Sequence, residues 1–545
     1  LIVIRWYLKM NKKIFIIFVA FFILFSSCSS AKVEPKINEK LNYTEEDILQ
    51  NEISEIRKLI SVDPIKALWR ASFISDQQIK NECIENCFNQ FEIAINDKDY
   101  FEAQKYYTSF LTLGVKVESS KEKLIASFYA NDIPGFGKNS LEPKTIEDCV
   151  NATVTIFVDK GLSIKNGIGF ADGVVGSGFF IDERGYIVTN YHVIQDLVDP
   201  TYEGFSRLYI KLQEDLDTKI PAKVIGYDSI LDLALIKAEI DPKFVLTLGS
   251  SDRLKVGTEI SAIGAPIGLD GTLTTGVIST AERKLNTLGT YFQVDAAINS
   301  GNSGGPLIDK NHNVQAVVFA GIPSFQGLNF AIPVEYLKQI LPIMYKGDEV
   351  YHSWIGAYGH TKRNGKEKVG LEVQYILPGG IAEKCGLKEN DVIVSIDSKP
   401  VKTIDDFQFI LMGHNVGTVL KCKYLCSSEN IEKETLIYLE KRSKEPVVEI
   451  YKSDYYSKAF IPFFGLELIP TSSSRKKSFM VKNVIRGTAA DELGFSENDK
   501  LEVGKVKLDN KNKFLIAQVS TQRKKKGFMD ISLMLSTPYD CPYYF

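Results

Sequence analysis

Between residues 150 and 345 the chain is written in short apolar runs: Ala152 to Val158, Gly178 to Ile181, Tyr186 to Thr189, Leu208 to Leu212, Asp232 to Lys237, Glu259 to Ile263 and Val314 to Phe319. Gly, Asp and Pro separate them. Runs this short suit strands, and parallel strands would need long crossover helices that the intervening segments do not provide. The region must therefore close on itself as a sandwich or as barrels.

The whole chain has 545 residues, and domains usually hold about 100 to 200, so three or four cores are expected. Apolar residues make up 44% and charged residues 24%, the balance of a globular chain rather than a disordered or membrane-embedded one. Lys and Arg number 65 against 68 Asp and Glu, a net charge of -3. No global basic field is present to hold nucleic acid phosphates, and no nucleic acid partner is expected.

From Met10, the expected true start, the sequence reads MNKKIFIIFVAFFILFSSCSS, with an apolar run from Ile14 to Phe25. That run is shorter than the roughly 20 residues a bilayer span needs, and it fits a secretory signal peptide over residues 1–28. Phe25-Ser26-Ser27-Cys28 resembles a bacterial lipobox, which makes Cys28 the lipidation site; the alternative is an uncleaved anchor with an incidental cysteine. Both place the remainder outside the cytoplasm. Residues 29–44 are polar, include Pro35 and read as a tether.

A helical domain is expected over 45–130, because Ile48, Leu49, Ile53, Ile56, Leu59 and Ile60 recur at helical spacing. Asp63-Pro64 reads as an N-cap with Pro at the first helical position. Ala67 in DPIKALWRA and Ala103 in DYFEAQKYY occupy comparable points, so helical-hairpin repeats of the tetratricopeptide kind and a plain bundle both fit. Gly and Pro in residues 131–143 end the helices, and a β-rich domain is assigned to 141–345.

Three segments of that domain carry chemistry. In GSGFFIDERGYIVTNYHVI, Asp182-Glu183-Arg184-Gly185 is a type I turn joining two strands, and His192 follows the second. In LDLALIK, Asp232 is the polar residue at the mouth of an apolar run, where its carboxylate needs hydrogen-bond donors such as a histidine ring. In AAINSGNSGGPLI, small residues around Ser303 let the backbone turn sharply, with the Gly301 and Ser303 amides as expected oxyanion donors. A serine hydroxyl becomes nucleophilic when a neutral imidazole takes its proton and a carboxylate orients that imidazole.

The order His192, Asp232, Ser303, with TNYHV, DLALIK and GNSGGPL around them, resembles the HtrA family of trypsin-like proteases. LNFAIP at 328–333 matches the family's strand near its specificity pocket. The resemblance implies a chymotrypsin-like all-β double barrel, a His192-Asp232-Ser303 triad, no cofactor and no metal, substrates that are unfolded or damaged envelope proteins, and a homotrimer. Tyr191 departs from the usual Asn or Ala, and Asp159 to Val175 has no assigned role. Gly301-Asn302-Ser303-Gly304-Gly305 also satisfies the nucleophile elbow of α/β-hydrolases, but Pro306 and the β-like run after it deny the helix that fold requires.

Residues 350–442 contain SWIGA and GLEVQYILPGGIAEKCGLKENDVIVSIDSKPV, which resemble a bacterial PDZ domain. Trp354, Ile355, Gly356 and Ala357 stand at the loop that takes peptide C-termini, with Ile381 in place of the usual proline and Asn390 in place of glycine. Residues 458–545 repeat the theme in FFGLELIP and AADELGFSENDKL, as a degenerate second PDZ-like domain in which Gly465 aligns with Gly356. Lys524 to Lys526 reads as a solvated loop. Cys83 with Cys87 and Cys422 with Cys426 lack the partners a zinc site needs, and free thiols are expected. The sequence thus reads as a lipid-anchored, envelope-located serine endopeptidase with PDZ peptide capture; the alternative is a PDZ-based holdase or scaffold with little proteolysis.

Overall fold

A computed structural model describes residues 44–545 apart from 166, 265–271, 286–287, 300, 322–327, 455, 472–476 and 525–527. Cys28 and the signal and tether segments, up to residue 43, lie outside the described residues. Among the described residues no helix is long and apolar enough to cross a membrane. Residues 1–55 and 56–545 are separate compact units; of the first, residues 44–55 are described, and Glu45 onward is helical.

Five helices open the described residues: α1 (Glu45–Ile60), α2 (Pro64–Ala71), α3 (Gln77–Asn96), α4 (Tyr100–Leu113) and α5 (Ser119–Asn131). Asp63 caps α2 by accepting from the Lys66 amide at 3.0 Å, with Pro64 just inside, as the sequence leads one to expect. Asp76 and Asp99 cap α3 and α4 in the same way, and Gly114, at φ 72°, terminates α4. Ile79, Cys83, Cys87, Phe91 and Ala94 give α3 one buried face. The two cysteines on that face are packing residues, and burial pushes the Cys83 thiol up to about 11.

A short α6 (Ile146–Asn151) leads into two closed barrels. The first uses β1 (Thr153–Lys165), β2 (Ile168–Phe180), β3 (Tyr186–Thr189), β4 (Arg207–Leu212), β5 (Asp215–Asp228) and β6 (Leu233–Ala238), with helix α7 (Tyr191–Val198) between β3 and β4. Its strands run β5-β4-β1-β2-β3-β6, and β6 pairs back onto β5. The second closes in the order β10-β11-β12-β9-β8-β7, from β7 (Glu259–Gly264), β8 (Thr272–Arg283), β9 (Tyr291–Val294), β10 (Pro306–Ile308), β11 (Val314–Gly321) and β12 (Asn329–Pro333).

The unbroken apolar run of LALIK follows from this double-barrel arrangement. On β6, Ala234 and Ile236 face the first barrel's interior, while Leu233 and Leu235 join the core that also holds Ile263, Ile308 and Val317 of the second barrel. Both faces are buried, so the strand shows no polar alternation. Asp159 to Val175 is the outer part of the β1-β2 hairpin, bulged between Asp159 and Leu162, with Leu162 and Ile164 exposed.

Helix α8 (Val334–Lys346) closes the protease region, burying Leu337, Ile340, Leu341 and Met344 in the same shared core. The strip β13 (Asp348–Glu349) then pairs with β5. The next sheet runs β15-β16-β17-β19-β20, built from β15 (Ala357–Asn364), β16 (Glu367–Ile376), β17 (Val392–Ile396), β19 (Val419–Cys426) and β20 (Ile431–Tyr438). Short strands β14 (Ser353–Trp354), β18 (Lys399–Pro400) and β21 (Glu440–Lys441) and helices α9 (Ile381–Lys384) and α10 (Ile404–Met412) complete it.

After α11 (Pro446–Ser453) and α12 (Tyr456–Phe464), a second five-stranded sheet has the order β22-β23-β24-β25-β26. Its strands are β22 (Leu466–Pro470), β23 (Ser478–Val484), β24 (Lys500–Asp509), β25 (Phe514–Lys524) and β26 (Phe528–Pro538), with α13 (Ala489–Glu492) after β23. The helical region docks on the first of these sheets: Trp69 is fully buried and its Nε1 donates to Leu436 O at 2.7 Å.

Candidate active site

The first barrel supplies the histidine and the aspartate. Strand β3 ends at Thr189, α7 starts at Tyr191, and buried Val193 and Ile194 fasten that helix to the barrel. Gly176 leaves room for this, since a Cβ there would lie 2.7 Å from Val193. Tyr191 stacks on Tyr227 with ring centroids 5.3 Å apart, which accounts for an aromatic residue at this position.

Asp232 sits at φ 57°, a left-handed conformation that a non-glycine residue adopts at some cost. The strain aims its carboxylate at His192 twice. One oxygen accepts from the His192 backbone amide at 2.7 Å, and the other lies 2.6 Å from the ring Nδ1. Asn190 Nδ2 donates to the Asp232 carbonyl at 2.8 Å, tying the turn to the end of β3. With Nδ1 held by the carboxylate, Nε2 is the ring nitrogen left to face a hydroxyl, on a side chain that is 43% exposed.

The second barrel supplies the serine. Gly301 and Gly304 take φ 106° and 86° on either side of Ser303. Gly304 is obligatory, because a Cβ would come 2.3 Å from Ser177 O and 2.4 Å from Thr189 Oγ1. The loop is pinned to both barrels: the Ser177 amide on β2 donates to Ser303 O at 2.8 Å, and the Gly304 amide donates to Val318 O on β11 at 2.8 Å. Ser303 Oγ donates to Phe319 O at 3.3 Å, so in this conformation its proton is turned away from His192. Long or diverted hydrogen bonds are common at such sites before substrate binds. Among the described residues the Gly301 and Ser303 amides donate to no acceptor, which leaves both available to an anionic oxygen.

Two features escape sequence reasoning. Asn302 is fully buried against Gly264, and among the described residues neither of its amide atoms has a hydrogen-bond partner. Beneath the Asp232 turn, buried Asp228 accepts from the Ile230 and Leu231 amides at 2.9 Å each and lies 2.8 Å from His352 Nε2. Both side chains are almost wholly excluded from solvent. His352 comes from the linker after the protease region, 124 residues away, and no local pattern marks that contact.

The remaining expected site, Trp354 to Ala357, is a buried loop turning at Gly356, φ 75°. The Leu377 amide donates to Gly356 O and the Ala382 amide to Ile355 O, both at 2.8 Å. Asn390, at φ 73°, takes a left-handed position that glycine would also suit. No cluster of His, Cys, Asp and Glu able to hold a metal occurs among the described residues, whose seven cysteines are all unpaired.

Comparison with known proteins follows the same division. A trypsin-like peptidase domain matches residues 176–317, a PDZ domain matches 372–420, and a TP0546 family PDZ domain matches 447–539. A domain of unknown function (DUF8517) matches 47–130. The chain is 34% identical over 256 residues to a probable periplasmic serine endoprotease DegP-like of Pseudomonas fulva, covering 45% of this chain and 51% of that protein. It spans about half the length of the first such relatives. Among solved structures, an HtrA-type protease AlgW with tripeptide aligns at 25% identity and a TM-score of 0.44, covering 54% of this chain and 95% of that one. A putative serine protease HhoA of Synechocystis is 34% identical over 273 residues, 46% of this chain and 67% of that protein. With that extent of likeness and its trypsin-like and PDZ domains, the chain belongs to the HtrA family of trypsin-like serine proteases.

Proposed function

We propose that the chain is a serine endopeptidase of the cell envelope that cleaves unfolded or damaged proteins, using His192, Asp232 and Ser303. The observation that carries this reading is the two-point hold of Asp232 on His192 beside a serine loop pinned between two barrels. His192 Nε2 takes the proton of Ser303 Oγ as the oxygen attacks the scissile carbonyl. The Gly301 and Ser303 amides hold the resulting oxyanion. His192 then passes the proton to the leaving amine, and water releases the acyl group by the same route in reverse roles. The Ser303 hydroxyl must first rotate away from Phe319 O.

The likeness to proteins named periplasmic endoproteases supports an envelope location, and the Phe25 to Cys28 segment supports lipid anchoring through Cys28. Peptide capture at Trp354 to Ala357 and assembly as a trimer are further parts of this reading. Casein cleavage tests it: the wild type is expected to turn casein over, and Ser303→Ala to lose about 10⁶-fold in kcat. Equal turnover by the two would leave a peptide-binding holdase as the better account.

A further inference from the structure

The open edge of β15 is already occupied. Residues 543–545 run antiparallel along it: the Ala357 amide donates to Phe545 O at 2.9 Å, the Phe545 amide donates to Ala357 O at 2.9 Å, and the Gly359 amide donates to Tyr543 O at 3.2 Å. Tyr358 and Tyr544 form the bridge between them. This edge begins at Ala357, the last residue of the loop assigned to peptide capture.

Side chains of the added segment alternate as a strand's must. Phe545, about 1% exposed, turns toward α10, where its ring meets Phe407 edge-on at 5.2 Å. Tyr543 stacks on His360 of β15 at 4.1 Å. Tyr544 points the other way, into the second PDZ-type region, where its hydroxyl donates to Pro462 O at 2.9 Å. Gln408 of α10 donates to Pro542 O, and Arg442 grips Asp540 through both terminal nitrogens.

Main-chain pairing with a strand edge, plus alternate side chains seated against a helix, is how an extended peptide is recognised by strand addition. We infer that residues 541–545 are a built-in occupant of the first PDZ groove, and that an extended peptide enters this groove only by displacing that segment. The inference rests on the reading of Trp354 to Ala357 as a peptide site. A groove open only part of the time shows an affinity reduced by its open fraction, so freeing it should tighten binding about 10- to 100-fold.

The test uses the full chain carrying Ser303→Ala, so that no probe is cleaved, and a fluorescein-labelled peptide with the sequence of residues 538–545, serine replacing cysteine. Fluorescence anisotropy gives its Kd for the parent, for deletion of 541–545, and for Phe545→Ala, which keeps Tyr544 in place and decides the matter if the deletion unfolds. The inference predicts that both variants bind the probe at least 10-fold more tightly than the parent, and that Phe407→Ala placed on Phe545→Ala weakens it again. Equal Kd for parent and variants, with binding still lost on Phe407→Ala, would overturn displacement while leaving the groove as a peptide site. Absence of binding to every folded variant would overturn the peptide site as well.

Discussion

The two PDZ-type regions share a five-stranded sheet in the same order and diverge between their third and fourth strands. In the first, β17 is followed by β18 and α10 before β19. In the second, β24 turns directly into β25 through Asn510 to Lys513. The turn at Gly356, where Leu377 N meets Gly356 O, has its counterpart at Gly465, where Ile485 N meets Gly465 O. The strand edge and loop are therefore common to both, but the helix that forms the opposite wall of a groove is present only in the first among the described residues. A sheet edge alone offers hydrogen bonds; a helix beside it adds the apolar pockets that select side chains.

Helix α10 also does more than line a groove. Phe407 faces Phe545, whereas Phe409 packs on Tyr336 of α8 at 5.5 Å and Met412 enters the core shared by the two barrels. The first region is thus keyed into the protease region, and the helical region seals its other side through Trp69. The second region contributes the segment that fills its neighbour's groove.

The largest effect that would test this asymmetry is expected at Trp69. Trp69→Ala empties a fully buried site and leaves Leu436 O without its donor; a loss of about 3–5 kcal/mol is expected in chemical denaturation. An unchanged midpoint would mean the helical region is not a structural partner of the first sheet. Next, Asp228→Ala leaves His352 and two buried amides unpaired beneath Asp232. A loss of about 3 kcal/mol is expected, together with reduced casein cleavage, and Asp228→Asn should recover part of both.

Acid sensitivity should separate the two regions more gently. Burial holds the His414 imidazole down at about 4 from an ordinary 6.5, and burial also lowers His360, whereas residues 447–539 contain no histidine. The unfolded chain gains a proton near pH 6.5 that folded His414 refuses until about pH 4. Its contribution is therefore fully present above pH 6.5 and is lost as the pH falls through that window. His414→Gln should remove about 1–3 kcal/mol of this acid destabilisation, read as a flatter dependence of Tm on pH. The smallest effect should be the most symmetrical: Asn390 and Asn498 adopt φ 73° and 67° at matching turns, so each Asn→Ala should cost about 1 kcal/mol and each Asn→Gly far less. Unequal costs would argue against equivalence of the turns.

Much of the site was readable because its chemistry is local. The GNSGGP loop needs small residues to avoid Ser177 O and Ile263 O, and that requirement is written into consecutive positions. LDLALIK read as a short apolar run with Asp232 at its mouth, but its burial on both faces comes from the second barrel packed against it. What stayed hidden depends on distant pairing: His352 meets Asp228 across 124 residues, and residues 543–545 pair with β15 through backbone groups that every sequence possesses. The extended β1-β2 hairpin was equally opaque, because Gly167, Gly169 and Gly173 break up its strand pattern.

The central claim is that Ser303 is a nucleophile activated by His192. Incubating the full chain with a biotinylated fluorophosphonate and sequencing the labelled peptides by mass spectrometry tests it most directly, because such probes phosphonylate an activated serine hydroxyl. The account predicts one adduct, on Ser303, that is lost in Ser303→Ala and falls by several orders of magnitude in rate in His192→Ala. Labelling that persists unchanged in His192→Ala, or that settles on another serine, would contradict it.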